Sequence, residues 1–440
     1  MTTTLEPAEA PAPQEAKQPV PLSPLLVRLA IAPLLLAAFT STMAILNLAG
    51  PVSFGDFFVG LSLLTLLPLV IIGRRGFTIP AWMFIPAVVI PICVLVRQID
   101  PPPYFWRVLR LQVQQYHPES FGKAMLWLAA IYIVPIAVIA ASRIEPRVVE
   151  WVMGAYAAGV TVSCVVAFTD LIGLTHVRTE LDYAAITYSW SDRRFSGLSD
   201  HPNNLGYTIL ISLPFLIYFL SKMRQKWIPG LALVIMVCGL LATGSRSAQG
   251  LAPLCVLAAA MCLPNRRAAL RVVATAFVGM VGVGAVLLFT VLADKQADIL
   301  RFTGEGAGGA ERANEARLTL FQQALNDWMT YPIFGAGIRH VTEAHNITLQ
   351  LLAAGGIVLA AGMIAYFAFV FRDCWRLIKG GNYYARFLFI SIATWLIAGQ
   401  AGTYLTGPEM YYTVGCVAAL TVATVLRPVD DNAELTAVRT

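Results

Sequence analysis

Twelve stretches of the chain are long and almost uninterruptedly apolar: 25–46, 52–72, 79–96, 123–141, 149–172, 202–220, 227–243, 247–263, 271–292, 346–371, 386–402 and 409–426. Crossing the hydrocarbon core of a bilayer takes ~20 residues, and lipid-facing backbone must be hydrogen-bonded within its own segment, so each run predicts a membrane helix. The runs 227–243 and 247–263 are at the short limit and fit one re-entrant pair as well as two spans. Between Glu311 and Met329 the pattern changes. Leu318, Phe321, Leu325, Trp328 and Met329 recur at helical spacing, with Arg317, Gln322, Gln323, Asn326 and Asp327 between them. This predicts an amphipathic helix, ended by Tyr331-Pro332, that lies on the membrane surface or caps the bundle. Gly304-Glu-Gly-Ala-Gly-Gly309 before it predicts a flexible connector. The expected fold is all-α, a polytopic bundle of about 12 transmembrane helices with a large loop, 294–345, carrying the amphipathic helix.

Composition excludes a soluble globular domain. Hydrophobic residues make up 58% of the 440 residues and charged ones 13%, and the mean hydropathy is +0.69. No cleavable signal peptide is visible. Residues 1–24 read as a disordered cytoplasmic tail, 25–427 as one membrane domain and 428–440 as a second cytoplasmic tail. With the amino terminus inside, the inner loops and tails sum to +9 and the outer ones to −3, giving the net +6, the asymmetry that the positive-inside rule describes. The basic pI therefore reports topology rather than a nucleic-acid partner. Seven cysteines are scattered, mostly inside spans, without CxxC pairs or Cys/His clusters, so neither disulfides nor zinc are expected.

With so few charges, those that cluster need a reason. Arg193, Arg194, His201 and Asn203 stand just before the span at 202, Ser245 and Arg246 between two short spans, and His345 and Asn346 before the span at 346. The topology puts all three groups on the outer face, each at the start of a helix running inward. Asp200 suits a cap with Pro202 in the first turn, Ser245 or Ser247 a second cap, and Thr342 or Asn346 a third. Helix amino termini and forked guanidinium donors both favour phosphate, so the expected ligand is a diphosphate or similar anion at the outer interface.

Plainer readings stand beside this one. Arg193 and Arg194 could be loop arginines pairing with Asp192 and Asp200. His201 fits a helix-start residue, His345 a surface cap, and Arg317 a partner for Glu311 or Glu343. Glu180 and Asp182 as a metal site compete with two solvated acids, and no metal or other cofactor is expected. Arg246 is harder to set aside, because an ionisable group between apolar runs marks function by default.

Three features resemble the O-antigen ligase and O-antigen polymerase superfamily. They are Arg194-x-x-Gly197 followed by Pro202-Asn203, Thr243-Gly-Ser-Arg246-Ser, and Arg317 followed by Phe334-Gly-Ala-Gly337, His345-Asn346 and Gly355-Gly356. The likeness runs from about Ser191 to Gly362. It implies a metal-independent inner-membrane glycosyltransferase whose donor is a glycan on undecaprenyl diphosphate, presented on the periplasmic side. The acceptor hydroxyl belongs to lipid A–core for a ligase, or to a second lipid-linked glycan for a polymerase of surface polysaccharide or exopolysaccharide. Carried over by position, Arg194, Arg246 and Arg317 hold the diphosphate and His345 acts at the acceptor hydroxyl. A neutral imidazole suits a general base, and direct displacement inverts the anomeric centre. A multi-span solute transporter is the alternative from another class. It would be expected to place ionisable groups near the bilayer midplane, whereas here they gather at the interface.

Overall fold

The computed structural model describes residues 23–44, 47–49, 52–73, 77–101, 104–107, 112–115, 121–175, 194–265, 307–338, 344–402 and 407–425, with isolated positions between them. Arg193, the Glu180–Asp182 pair, Thr342, Glu343, both tails and most of the run at 271–292 lie outside these residues.

The helices are α1 (Pro24–Thr40), α2 (Phe54–Ile72), α3 (Phe84–Ile99), α4 (Phe121–Ile144), α5 (Val148–Leu171), α6 (Pro202–Lys222), α7 (Trp227–Thr243), α8 (Arg246–Met261), α9 (Ala307–Thr330), α10 (Ile347–Lys379), α11 (Ala385–Ala398) and α12 (Tyr411–Val425). Among the described residues six helices are long and apolar enough to cross a membrane, and α1, α7 and α11 are shorter apolar ones. The protein is a polytopic membrane bundle. Leu64, Ile71, Leu254 and Ile364 remain exposed on its flanks, as expected of side chains that meet lipid. Two short antiparallel ribbons depart from the all-helical expectation: β1 (Asn47–Ala49) with β2 (Val52–Ser53), and β3 (Tyr104–Arg107) with β4 (Gln112–Gln115). Both join consecutive helices at the same end of the bundle.

That end carries the candidate site. The opposite end holds Lys222 on Glu150 and Arg372 and Arg376 on Asp373, and Trp82 Nε1 donates to the same Asp373 carboxylate at 2.9 Å. These charges prolong α10 two turns beyond the expected 371, because an amphipathic segment continues the helix past the apolar run. The short helices α7 and α8 diverge from their shared turn: α7 packs on α5 and α6, and α8 on α6 and α11. Helix α9 begins at Ala307, so Ala307-Gly-Gly309 of the expected connector is helical. It caps α10, with Ala324 buried against Leu349 and Ala353, while Leu318 and Met329 stay exposed.

Two glycines make one joint possible. Helix α10 is broken at Gly355-Gly356, and the segment after α9 fills the break. Ala336 and Gly337 N–H donate to Ala353 and Ala354 C=O at 2.7 and 3.0 Å, and Ile357 and Val358 N–H donate to Pro332 and Ile333 C=O at 2.9 and 3.2 Å. The backbone groups released by the break are thus satisfied, as a low-dielectric interior requires. Gly335 and Gly356 both have positive φ, at 65° and 62°. A Cβ at Gly356 would lie 2.2 Å from the Ile333 carbonyl, and one at Gly335 would lie 2.4 Å from Ala354. Arg97, buried at the end of α3, donates from Nε to Gly335 C=O and stacks 4.7 Å from the Tyr331 ring.

Candidate active site

Arg194 is the hinge of the site. Its Nε donates to Thr243 C=O at 2.9 Å and one terminal nitrogen donates to Asn203 Oδ1, so one guanidinium ties the approach to α6 to the α7–α8 turn. Phe195 N–H adds a backbone bond to Ala242 C=O at 3.1 Å. Gly244 turns the chain with φ +54°, and the Arg194 stem lies 3.5 Å from where its Cβ would be. Arg246 follows two residues later as the first residue of α8, half-buried behind the fully buried Ser245. Arg194 and Arg246 thereby share one turn.

His201 caps α6, its Nδ1 accepting from Asn203 N–H at 3.1 Å. This corrects the expectation for Asp200, whose carboxylate instead accepts from Asn204 Nδ2 at 2.7 Å. An aromatic nitrogen reaches the amide that a shorter carboxylate would have taken. Ser245 occupies the cap position of α8, but its hydroxyl makes no capping bond. Asn346 caps α10, accepting from Leu349 N–H at 2.8 Å and donating to Gln400 C=O at 3.1 Å. His345, just before it, is the one non-glycine with positive φ (51°) among the described residues. Such backbone costs ~1–3 kcal/mol and gathers at functional sites.

Electrostatics bring these positions together. The charge on Arg317 acts on both His345 and His201, and His201 is also within reach of Arg194, Asp200 and His345. Burial, reinforced by Arg317, pushes the His345 pKa below the usual imidazole value. For His201, burial and then Arg194 push it to about 4, with Asp200 opposing. His201 is solvent-exposed at the start of α6. Both rings are neutral near pH 7.

One buried residue beside the site was missed in the sequence. Tyr207 sits one helical turn below Asn203, donates to Ala401 C=O at 3.1 Å, and lies near Ser247 and within reach of Arg194 and Arg317. Its signal was the i, i+4 spacing from Asn203 inside an apolar run. The segment after α11 meets both Tyr207 and Asn346: Ala401 C=O accepts from Tyr207 and Gln400 C=O accepts from Asn346 Nδ2. Arg97 was likewise missed, because its partner is a backbone carbonyl 238 residues away. Among the described residues no group of three or more His, Cys, Asp or Glu is placed to hold a metal ion.

In this membrane bundle, arginines and imidazoles from separate stretches of chain come within electrostatic reach of one another. Residues 231–364 match the family model Wzy_C, described as O-Antigen ligase. Over that segment, 134 of the 440 residues, the chain is similar to the O-antigen ligase domain, and that family is one of enzymes. The match contains Arg246, Arg317, His345 and the glycine joint, while Arg194 and His201 precede it. No curated protein matches the chain.

Proposed function

We propose that the protein transfers a polyprenyl-diphosphate-linked glycan to an acceptor hydroxyl at the periplasmic face of the bacterial inner membrane. In this reading the bundle has about twelve spans, both termini are cytoplasmic and the site opens outward. The observation that carries the proposal is the meeting of Arg194, Arg317, His201 and His345, from three separate stretches of chain, in one electrostatic cluster.

The leaving group is a diphosphate, whose charge grows as the anomeric C–O bond breaks. Arg194, Arg246 and Arg317 supply fixed positive charge, and the starts of α6, α8 and α10 supply oriented N–H groups. Preorganised donors of this kind need no rearrangement at the moment of reaction. The acceptor hydroxyl is a weak nucleophile until its proton is removed. His345, neutral and beside Arg317, takes that proton as the hydroxyl oxygen attacks the anomeric carbon from the face opposite the diphosphate. The new glycosidic bond is inverted, and the proton leaves His345 for solvent. Asn203 holds Arg194, and Asn346 sets the start of the helix that follows His345.

The test is purified full-length protein in proteoliposomes, given undecaprenyl-diphosphate-linked glycan and, separately, lipid A–core or a second lipid-linked glycan. Transfer to lipid A–core makes it a ligase, and chain elongation makes it a polymerase. Transfer to neither, together with uptake of a labelled solute, overturns the enzyme mechanism in favour of transport.

A further inference from the structure

The two imidazoles of the site have different surroundings, and the difference bears on the work each can do. His201 Nδ1 is an acceptor, because it receives the Asn203 backbone N–H at 3.1 Å. A backbone amide cannot accept, so Nδ1 carries no proton in this arrangement. In the neutral ring the proton then sits on Nε2, on the side of the imidazole away from the helix. Nε2–H is a donor and cannot take a proton from a hydroxyl. The ring is held by its role as the cap of α6, and the same Asn203 whose N–H it accepts receives Arg194 on its side chain.

Resting on the function proposed above, we infer that His201 is a second catalytic residue, a neutral hydrogen-bond donor that presents Nε2–H to the diphosphate of the donor lipid beside the Arg194 guanidinium. It works as an uncharged member of the phosphate cradle while His345 acts as the base. The charges around it are consistent with that division. Arg194, Arg317 and His345 all disfavour a proton on His201, and Asp200 alone opposes them. Neutrality keeps the donor from competing with Arg194 for the same counter-charge. Donation strengthens as negative charge builds on the leaving oxygens, and a preorganised donor of this kind is worth ~10²–10³ in rate.

His201→Asn separates the cap from the donation. Asn is among the best N-cap residues, so Oδ1 replaces Nδ1 on the Asn203 amide, while the side chain is too short to reach where Nε2 stood. Three readings decide the matter on full-length protein in nanodiscs. The first is nitrogen NMR of protein labelled in its five histidines, with His201 assigned by its loss in His201→Asn. The Nε2–H tautomer is expected, and an Nδ1–H ring or a cation at pH 7 overturns the inference. The second is affinity for undecaprenyl diphosphate. It is expected to fall about tenfold in His201→Asn with the thermal midpoint kept, and unchanged affinity overturns the inference. The third is transfer rate, expected to fall ~10²-fold in kcat with the acceptor KM unchanged. A rise in acceptor KM at constant kcat would place His201 at the acceptor instead and overturn it. His201→Ala, which loses both contacts, is expected to lower the thermal midpoint as well. If wild-type protein transfers no glycan, the proposed function fails, while the tautomer and the diphosphate affinity still report on His201.

Discussion

Gly356→Ala tests whether the glycine joint positions the site. Gly356 has φ +62° and ψ −160°, a region that only glycine occupies readily, and a side chain there costs ~1–3 kcal/mol. The new Cβ would lie 2.2 Å from the carbonyl carbon and oxygen of Ile333 and 2.6 Å from Phe334 N, so the inserted segment must withdraw. Withdrawal breaks the bonds from Ile357 and Val358 N–H to Pro332 and Ile333 C=O, at a net ~0.5–1.5 kcal/mol each. The total is ~2–6 kcal/mol, concentrated where α9 joins α10. Because His345 lies less than one loop from this joint, displacement of about 1 Å is enough to lower transfer ~10²-fold. Initial rates in proteoliposomes are compared with thermal midpoints and with Gly250→Ala, whose Cβ meets nothing within 4 Å. Gly250→Ala is expected to be neutral or mildly stabilising, by up to ~1 kcal/mol. Wild-type rate and midpoint in Gly356→Ala would refute the joint as a positioning device.

Other consequences follow from the same geometry. Arg194→Lys keeps the charge but cannot bridge Thr243 C=O and Asn203 together; donor affinity is expected to fall ~10-fold or more by direct binding measurement. The pH profile of kcat/KM should fall on the acid side with a midpoint below 6.5, because His345 must be neutral and its pKa is lowered. Stability has the same sign: both histidines favour the neutral form when folded, so their contribution is full above 6.5 and is lost as pH falls, for His201 down towards about 4, readable from thermal midpoints. Chelation with EDTA is expected to leave the transfer rate unchanged, and restoration by added divalent cation would contradict the metal-independent mechanism.

The apolar runs made most helices legible, since lipid demands continuous helix wherever the chain is uniformly apolar. They could not show that α10 runs on to Lys379, because Arg372, Asp373 and Arg376 interrupt the apolar signal while prolonging the helix. The ribbon of β3 and β4 carries no clear alternation, since Tyr104-Phe-Trp-Arg107 faces Gln112-Val-Gln-Gln115. At the site, Arg194, His201 and His345 stood out because charge is scarce. Their contacts did not. That His201, and not Asp200, caps α6 depends on which side chain reaches the amide. The glycine motifs at 335–337 and 355–356 were visible as motifs, but their meaning is a backbone-to-backbone fit that appears only when the two segments meet. Arg97 and Tyr207 act through carbonyls, which every residue has, so sequence offers no partner to look for.

The most direct measurement is the initial rate of glycan transfer by His345→Ala in proteoliposomes at saturating undecaprenyl-diphosphate-linked donor, with donor affinity measured on the same preparation. Loss of a general base is expected to lower the rate ~10²–10⁴-fold while donor affinity stays within a few-fold of wild type, because Arg194, Arg246 and Arg317 remain. A His345→Ala protein that transfers glycan at the full rate would contradict the account.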